Sequence, residues 1–443
     1  MTSTNIDLAA ALADSEQRYA AANPGSAERH REAAAFLPGG NTRAVLFYQP
    51  FPVAMAGGEG CHLWDLDGHR YVDFVSEYGA GLYGHSNAII KAAIVEALDG
   101  GWVLGAPNVY EAKLAAALSG RFAALERLRF CNSGTEANLM ALGTARAFTG
   151  RPKIVAFREG YHGGVVTFAH GGSDLNVPFD FVFADYNDTQ GAVAAIRAHA
   201  ADLAAVIIEP MMGGGGCIPA ERPFLAALRE ETARAGALLI FDEVITSRLA
   251  PGGLHGELGI RPDLVTLGKY LGGGCSFGVF GGRADIMSRF DPLSPHAFSH
   301  GGTFNNNVLS MAAGLAGLTE VLTPDASRRM NGLGDEMRHG LNALFARHGI
   351  RGVVTGIGSV MNIHFAAGPI TTPAQLDGQD RRLFQLFQLE MLMRGQYVTS
   401  RGMLALSLPV GPDETSGFVD AFEDFLRTHK SVLPQANGRD IET

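Results

Sequence analysis

Cysteine is scarce in this chain. Four residues, Cys61, Cys131, Cys217 and Cys275, stand among 443, and no two make a C-x-x-C pair. Such spacing offers no zinc knuckle and no redox motif. It predicts reduced, mostly buried thiols in a reducing compartment, and no metal. Long apolar runs are missing as well, since nothing approaches the about 18 consecutive apolar residues of a membrane span. The opening stretch, Met1 to Ala10, has no basic segment followed by an apolar one, so no export signal is expected. These absences predict a cytoplasmic protein with no membrane partner. Positive charge is also in deficit, with 35 Lys and Arg against 45 Asp and Glu and a net charge of −10. A negative excess repels phosphate backbones, so no nucleic acid is expected as a partner. A local cationic pocket for a small anion remains compatible with it.

Glycine, by contrast, is plentiful at 57 residues, well above the usual roughly 7%. With 47% hydrophobic and 18% charged residues, the chain has the composition of a globular protein with a large core. From about residue 110, helical stretches alternate with short apolar strands. Strands are predicted at Lys153 to Phe157, Leu203 to Ile208, Ala237 to Phe241 and Leu264 to Leu267. An amphipathic helix from about Pro223 to Ala235, stopped by Gly236, lies between the second and third of these. Nearly continuous apolar strands joined through helices predict parallel pairing, buried on both faces. The fold class is therefore α/β, with a mostly parallel sheet in a large domain. Looser α+β patterning after residue 325 predicts a smaller domain, joined by the N-terminal segment. The expected boundaries are 1–60 for that segment, 61–325 for the large domain and 326–443 for the small one.

Ligands of open parallel sheets bind beyond the carboxyl ends of the strands. Three predicted strands end there in Glu209-Pro210, in Asp242-Glu243 and in Gly268-Lys269. A lysine leaving a buried strand loses proton affinity by desolvation and can attack a carbonyl carbon. An aspartate beside it either forms a structural ion pair or holds a proton on the ring nitrogen of a bound pyridine. Ser133 and Glu136 have the spacing of a capping box ahead of an apolar-periodic helix from about Ala137 to Phe148. The same Ser133-Gly134-Thr135 turn suits phosphate, since free N–H groups and the helix dipole both favour an anion. Tyr161 follows another strand end, where an aromatic ring can lie over a flat ligand. A Walker A loop is excluded because Asp263 stands where its first glycine belongs. A dinucleotide fingerprint fails at Phe277.

Together these residues resemble the class III pyridoxal-phosphate-dependent aminotransferases of fold type I. The shared signals are Asn132-Ser133-Gly134-Thr135-Glu136-Ala137-Asn138, Tyr161-His162-Gly163, Glu209-Pro210, Phe241-Asp242-Glu243-Val244, Leu267-Gly268-Lys269 and Gly302-Thr303-Phe304. They occur in the family's order over roughly residues 35 to 410. The branch is similar to the glutamate-1-semialdehyde aminomutases, and closer still to the β-phenylalanine (β-amino-acid) aminotransferases. The resemblance implies pyridoxal 5'-phosphate as cofactor, with Lys269 as Schiff-base lysine and Asp242 as the partner of the ring nitrogen. Ser133, Gly134 and Thr135 would form the phosphate cup, with Tyr161 and Val244 on the two ring faces. Glu209 would sit near the cofactor's 3-hydroxyl. Thr303 would reach the phosphate of a neighbouring subunit, so a homodimer with an interface active site is implied. Arg43 would hold the carboxylate of the β-amino acid, and Arg401, in Thr399-Ser400-Arg401-Gly402, that of the 2-oxo acid acceptor.

The implied activity is ping-pong transamination of an aromatic, β-phenylalanine-like amino acid. The acceptor would be a 2-oxo acid such as 2-oxoglutarate or pyruvate. Two alternatives stand beside it. One is a glutamate-1-semialdehyde 2,1-aminomutase or another ω-amine transaminase. The other is a catalytically silent binding protein of the same fold, which the presence of both Lys269 and Asp242 disfavours. Met211-Met212-Gly213-Gly214 departs from the family after Glu209-Pro210, leaving pocket shape open.

Overall fold

A computed structural model describes residues 3–436. The outermost residues of the two expected terminal segments, 1–2 and 437–443, lie outside the described residues. The chain divides into two compact units. One comprises Ala88–Asn331 and the short segment Thr371–Gln375. The other joins the residues up to Asn87 with Gly332–Ile370 and the residues from Leu376 on.

The first unit is built on seven strands. In chain order they are β1 (Arg127–Cys131), β2 (Lys153–Phe157), β3 (Asp180–Ala184), β4 (Leu203–Ile208), β5 (Leu238–Asp242), β6 (Leu264–Gly268) and β7 (Gly278–Gly282). They lie side by side as β1-β7-β6-β5-β4-β2-β3. β6, β5, β4, β2 and β3 pair in parallel, whereas β7 is antiparallel to both β6 and β1. β4, β5 and β6 are buried along their whole length. That is the pattern of a sheet covered on both faces. Helix α1 (Gly134–Thr149) lays Ala137, Ala141 and Ala145 on the sheet, against a core that includes Ile154, Ala205, Ile207, Ile240 and Leu264. Alanine at every fourth position makes a flat stripe, which lets the helix approach the strands closely. Helix α2 (Arg222–Ala235) ends on Gly236 at φ +63, the left-handed stop its sequence predicts.

β7 was not foreseen. Its sequence, Gly-Val-Phe-Gly-Gly, has the composition of a loop. The glycines are there because neighbouring backbone is too close for anything larger. A Cβ at Gly278 would collide with the carbonyl oxygen of Ser133, and one at Gly282 with that of Asp263.

The second unit carries two small sheets. Met55–Glu59, His62–Asp65 and Arg70–Asp73 form an antiparallel meander, and Gln396–Tyr397 adds in parallel beside Arg70–Asp73. Val353–Ile357, Val360–His364 and Met403–Ala405 make the other. Phe418, Phe422 and Phe425 repeat along one face of the helix Pro412–Thr428; Phe422 meets Phe345 and Phe387 edge-on, and Phe425 meets Phe387 the same way. Pro24 and Gly25 open the helix Pro24–Ala34, because proline suits the first helical position. A buried carboxylate, Glu390, accepts from Ser15 Oγ and Arg18 Nη2 near the N-terminus and from Arg394 Nη1, each at 2.5 Å. His429 Nε2 stands 3.3 Å from it. Burial pushes this carboxyl up, but His429, Ser15 and Arg394 outweigh burial and hold it below the usual carboxylate range. No helix among the described residues is long and apolar enough to cross a membrane.

Candidate active site

Parallel pairing brings the strand ends to one edge of the sheet, and each delivers a polar group there. β1 leads to Ser133, β2 to Tyr161, β4 to Glu209, β5 ends on Asp242, and β6 leads to Lys269. The register sets Phe241 beside Ile208 and Asp242 beside Thr266.

Asp242 is buried and richly bonded. Its Oδ2 accepts from Asn138 Nδ2 at 2.7 Å and from His162 Nδ1 at 2.8 Å. Its Oδ1 accepts from the Val244 N–H at 3.0 Å. Because the carboxylate oxygen only accepts, the imidazole proton of His162 sits on Nδ1. Asn138 is itself fixed, donating also to the His162 carbonyl at 3.0 Å and accepting from Thr266 Oγ1 at 2.6 Å. Three donors fill three of a carboxylate's roughly four lone-pair positions, so Oδ1 keeps room for one donor more. A pyridinium N–H fits that vacancy.

α1 begins at Gly134, three residues earlier than its apolar period predicts. Ser133 Oγ caps it by accepting from the Glu136 N–H at 3.1 Å. Glu136 answers one residue further back than a standard capping box, accepting from the Asn132 N–H at 2.8 Å. The N–H groups of Gly134 and Thr135 have no acceptor among the described residues. With the helix dipole behind them, they match a phosphate. Gly134 also answers to packing, because a Cβ there would stand 2.8 Å and 2.9 Å from the two methyls of Val244.

Lys269 has φ +53, a left-handed conformation that a lysine adopts only when its surroundings impose it. Glu209 is buried, with Oε1 accepting from the Tyr161 N–H at 3.0 Å and Oε2 from the Gly213 N–H at 2.9 Å. Burial pushes its carboxyl up to about 7, and His162 and the two N–H groups restrain the rise while Asp242 adds to it. The Tyr161 ring is about half exposed, and Thr135 Oγ1 reaches its loop by accepting from the Gly164 N–H at 3.3 Å. Thr303 stands exposed in a turn ahead of the helix Val308–Ala316.

Arg43 and Arg401 belong to the other unit. The Arg43 guanidinium carbon lies 5.7 Å from the centre of the Tyr78 ring, and its Nη1 is bonded to Glu77. Burial raises the Tyr78 phenol, and the positive charges of Arg401 and Arg43 pull it back. Elsewhere in this unit Cys61, His62 and Glu414 place donor atoms within 4.8 Å of one another. The Arg70 guanidinium donates to His62 Nε2 at 2.7 Å. The ring proton therefore sits on Nδ1, the atom facing Cys61 Sγ at 3.8 Å. That tautomer shows the cluster a proton and no lone pair.

Sequence reasoning assigned no role to Asn138, His162, Thr266, Glu77 or Tyr78. Asn138 and His162 stand inside the shared motifs, and Asn138 is also an amide inside an alanine-rich helix face. The others depend on sheet register or on loop conformation, which spacing does not reveal.

The family described as Aminotransferase class-III matches residues 47–377. Beta-phenylalanine transaminase of Variovorax paradoxus is 51% identical over 437 residues, covering 99% of this chain and 100% of that protein. A glutamate-1-semialdehyde 2,1-aminomutase of Sorangium cellulosum is 37% identical over 392 residues, covering 84% and 89%. Among solved structures, the β-phenylalanine aminotransferase from Variovorax paradoxus superposes with a TM-score of 0.95, over 97% of this chain and 100% of that one.

Proposed function

We propose, for this chain, which belongs to the class III aminotransferase family and has its fold type I architecture, transamination of an aromatic β-amino acid. The amino group passes to a 2-oxo acid such as 2-oxoglutarate or pyruvate. The Arg43 guanidinium set over the Tyr78 ring carries the substrate class, and the positive charge of Arg401 acts on the same phenol. A ping-pong reaction admits two carboxylates in turn, and a planar guanidinium is the group best suited to each. End-to-end similarity to a beta-phenylalanine transaminase supports the same reading.

Pyridoxal 5'-phosphate, the family's cofactor, supplies an aldehyde that takes up the amino group and a ring that draws electrons from the reacting carbon. The chain's residues divide the remaining work. Asp242 would hold a proton at the ring nitrogen, while Asn138 and His162 fix the carboxylate's plane. The N–H groups of Gly134 and Thr135, with Ser133, would bind the phosphate. Tyr161 and Val244 would bound the ring faces, and Glu209 would serve the side of the 3-hydroxyl. Lys269 Nζ would anchor the aldehyde and, when free, would hold and move the proton at the substrate carbon. Arg43 holds the donor carboxylate and Arg401 that of the acceptor.

The working form is a homodimer. Trp102, Val103, Leu104 and Val109 expose apolar side chains along one segment, and Phe304 does so beside Thr303. Asn108 Nδ2 donates to the Asn306 carbonyl at 2.8 Å, so the two loops present one surface. An apolar surface of this kind is the mark of a protein interface, and a second copy seated on it would receive Thr303 at its own phosphate cup.

A donor screen tests the reading. β-Phenylalanine should be consumed with 2-oxoglutarate or pyruvate and not without an acceptor. Turnover of glutamate-1-semialdehyde with no acceptor, and none of β-phenylalanine, would instead establish an aminomutase.

A further inference from the structure

Arg43 and Arg401 both act by their charge on the Tyr78 phenol but differ in one respect. Arg401 has no ion-pair partner among the described residues, whereas Arg43 is already bonded to the carboxylate of Glu77. Arg43 is the single side chain Glu77 bonds among the described residues. The backbone that presents this carboxylate is unusual. Ser76, Glu77 and Tyr78 stand consecutively in the left-handed region, at φ 45, 52 and 54. Three successive residues with a Cβ do not rest there unless they are clamped. The clamp is visible. Asp73 Oδ1 accepts from the N–H groups of Val75 at 2.8 Å and Ser76 at 2.9 Å. The Gly81 N–H donates to the Ser76 carbonyl at 2.8 Å. Tyr78 Oη donates to the carbonyl of Val45, two residues beyond Arg43, at 3.1 Å. The strained turn thus ties Glu77 to the segment that carries Arg43.

We propose that Glu77 is a specificity-determining residue, a resident carboxylate that occupies Arg43 and must be displaced by the carboxylate of the amino donor. The inference rests on Arg43 being the donor's carboxylate holder. Both side chains of the pair are substantially exposed, at 41% and 58%, so the contact is weak enough to exchange at every turnover. A donor that brings an aromatic ring as well as a carboxylate overcomes the resident. A small anion offering only its charge does not. Arg401, lacking such a guard, stays open to the acceptor. The two carboxylates are sorted by occupancy as well as by shape.

The test is steady-state kinetics of the holoenzyme with β-phenylalanine, together with inhibition by 3-phenylpropanoate, which lacks the amine. Glu77→Gln should lower KM for the donor and Ki for the inhibitor by about two- to fivefold, with kcat changed much less. Glu77→Asp should keep parent values. In an Arg43→Ala background, Glu77→Gln should have no effect on either constant. An unchanged or raised KM for Glu77→Gln would overturn the proposal, the latter by making Glu77 a group that orients Arg43. If Arg43→Ala alone leaves donor KM untouched, the assignment of Arg43 has failed, which is a separate result.

Discussion

The carboxyl edge of the seven-stranded sheet and the Arg43–Glu77–Tyr78 region are built in opposite ways. At the sheet edge Asp242 is buried, takes three hydrogen bonds, and its amide donor Asn138 is itself held by Thr266. Nothing there can move without breaking a bond in a low-dielectric setting, so the geometry exists before any ligand arrives. Around Tyr78 the guanidinium of Arg43 is partly exposed and paired with a carboxylate it can release. In the proposed reaction the first region fixes where protons go, and the second would select the carboxylate and change partners within each cycle.

Substitutions should divide along the same line. Lys269→Ala should have the largest effect, lowering turnover by about 10⁴-fold or more and removing the visible absorption band of the holoenzyme. Asp242→Asn keeps the shape but loses the charge, and should cost about 10²- to 10³-fold in kcat with every donor tested. Arg43→Ala should lower kcat/KM for β-phenylalanine by about 10- to 100-fold while sparing 1-phenylethylamine, which has no carboxylate. Equal losses with both donors would erase the distinction between the two regions. Asn138→Ala strips a donor from Asp242 and an acceptor from Thr266. It should destabilise the protein by about 1–3 kcal/mol in denaturant unfolding and lower kcat with all donors alike.

The smallest expected effect concerns Glu209. Its folded carboxyl is raised from 4.5 to about 7, so the folded state favours the protonated form. Its stabilising contribution is complete below the unfolded value and is lost as pH rises through about 7. The melting temperature of the apoprotein should therefore fall between about pH 5 and about pH 8, and the fall should be shallower in Glu209→Gln. Parallel curves for the two proteins would remove Glu209 as the source.

Much of the sheet edge was legible because its signals are local. An apolar run ending in a charged residue marks β4, β5 and β6, and so Glu209, Asp242 and Lys269. What the sequence hid depends on neighbours distant in the chain. Asn138 meets Thr266 only because α1 crosses the strands at a particular height. β7 looked like a loop because its glycines answer to backbone pressed against them. Glu77 and Tyr78 were invisible because three left-handed residues without glycine have no signature in composition. The recognition region is thus the harder one to read, since it is made of loop conformation.

The discontinuous unit has a consequence for how the protein is made. Val72 pairs with Gln396, made more than three hundred residues later. At roughly 5–20 residues per second the early strand waits for tens of seconds. Ser15 and Arg18 wait as long for Glu390. Meanwhile Ala88–Asn331 is nearly continuous and can complete its sheet alone. The sheet of Ala88–Asn331 therefore has all its strands before the late partners of the early strands are made.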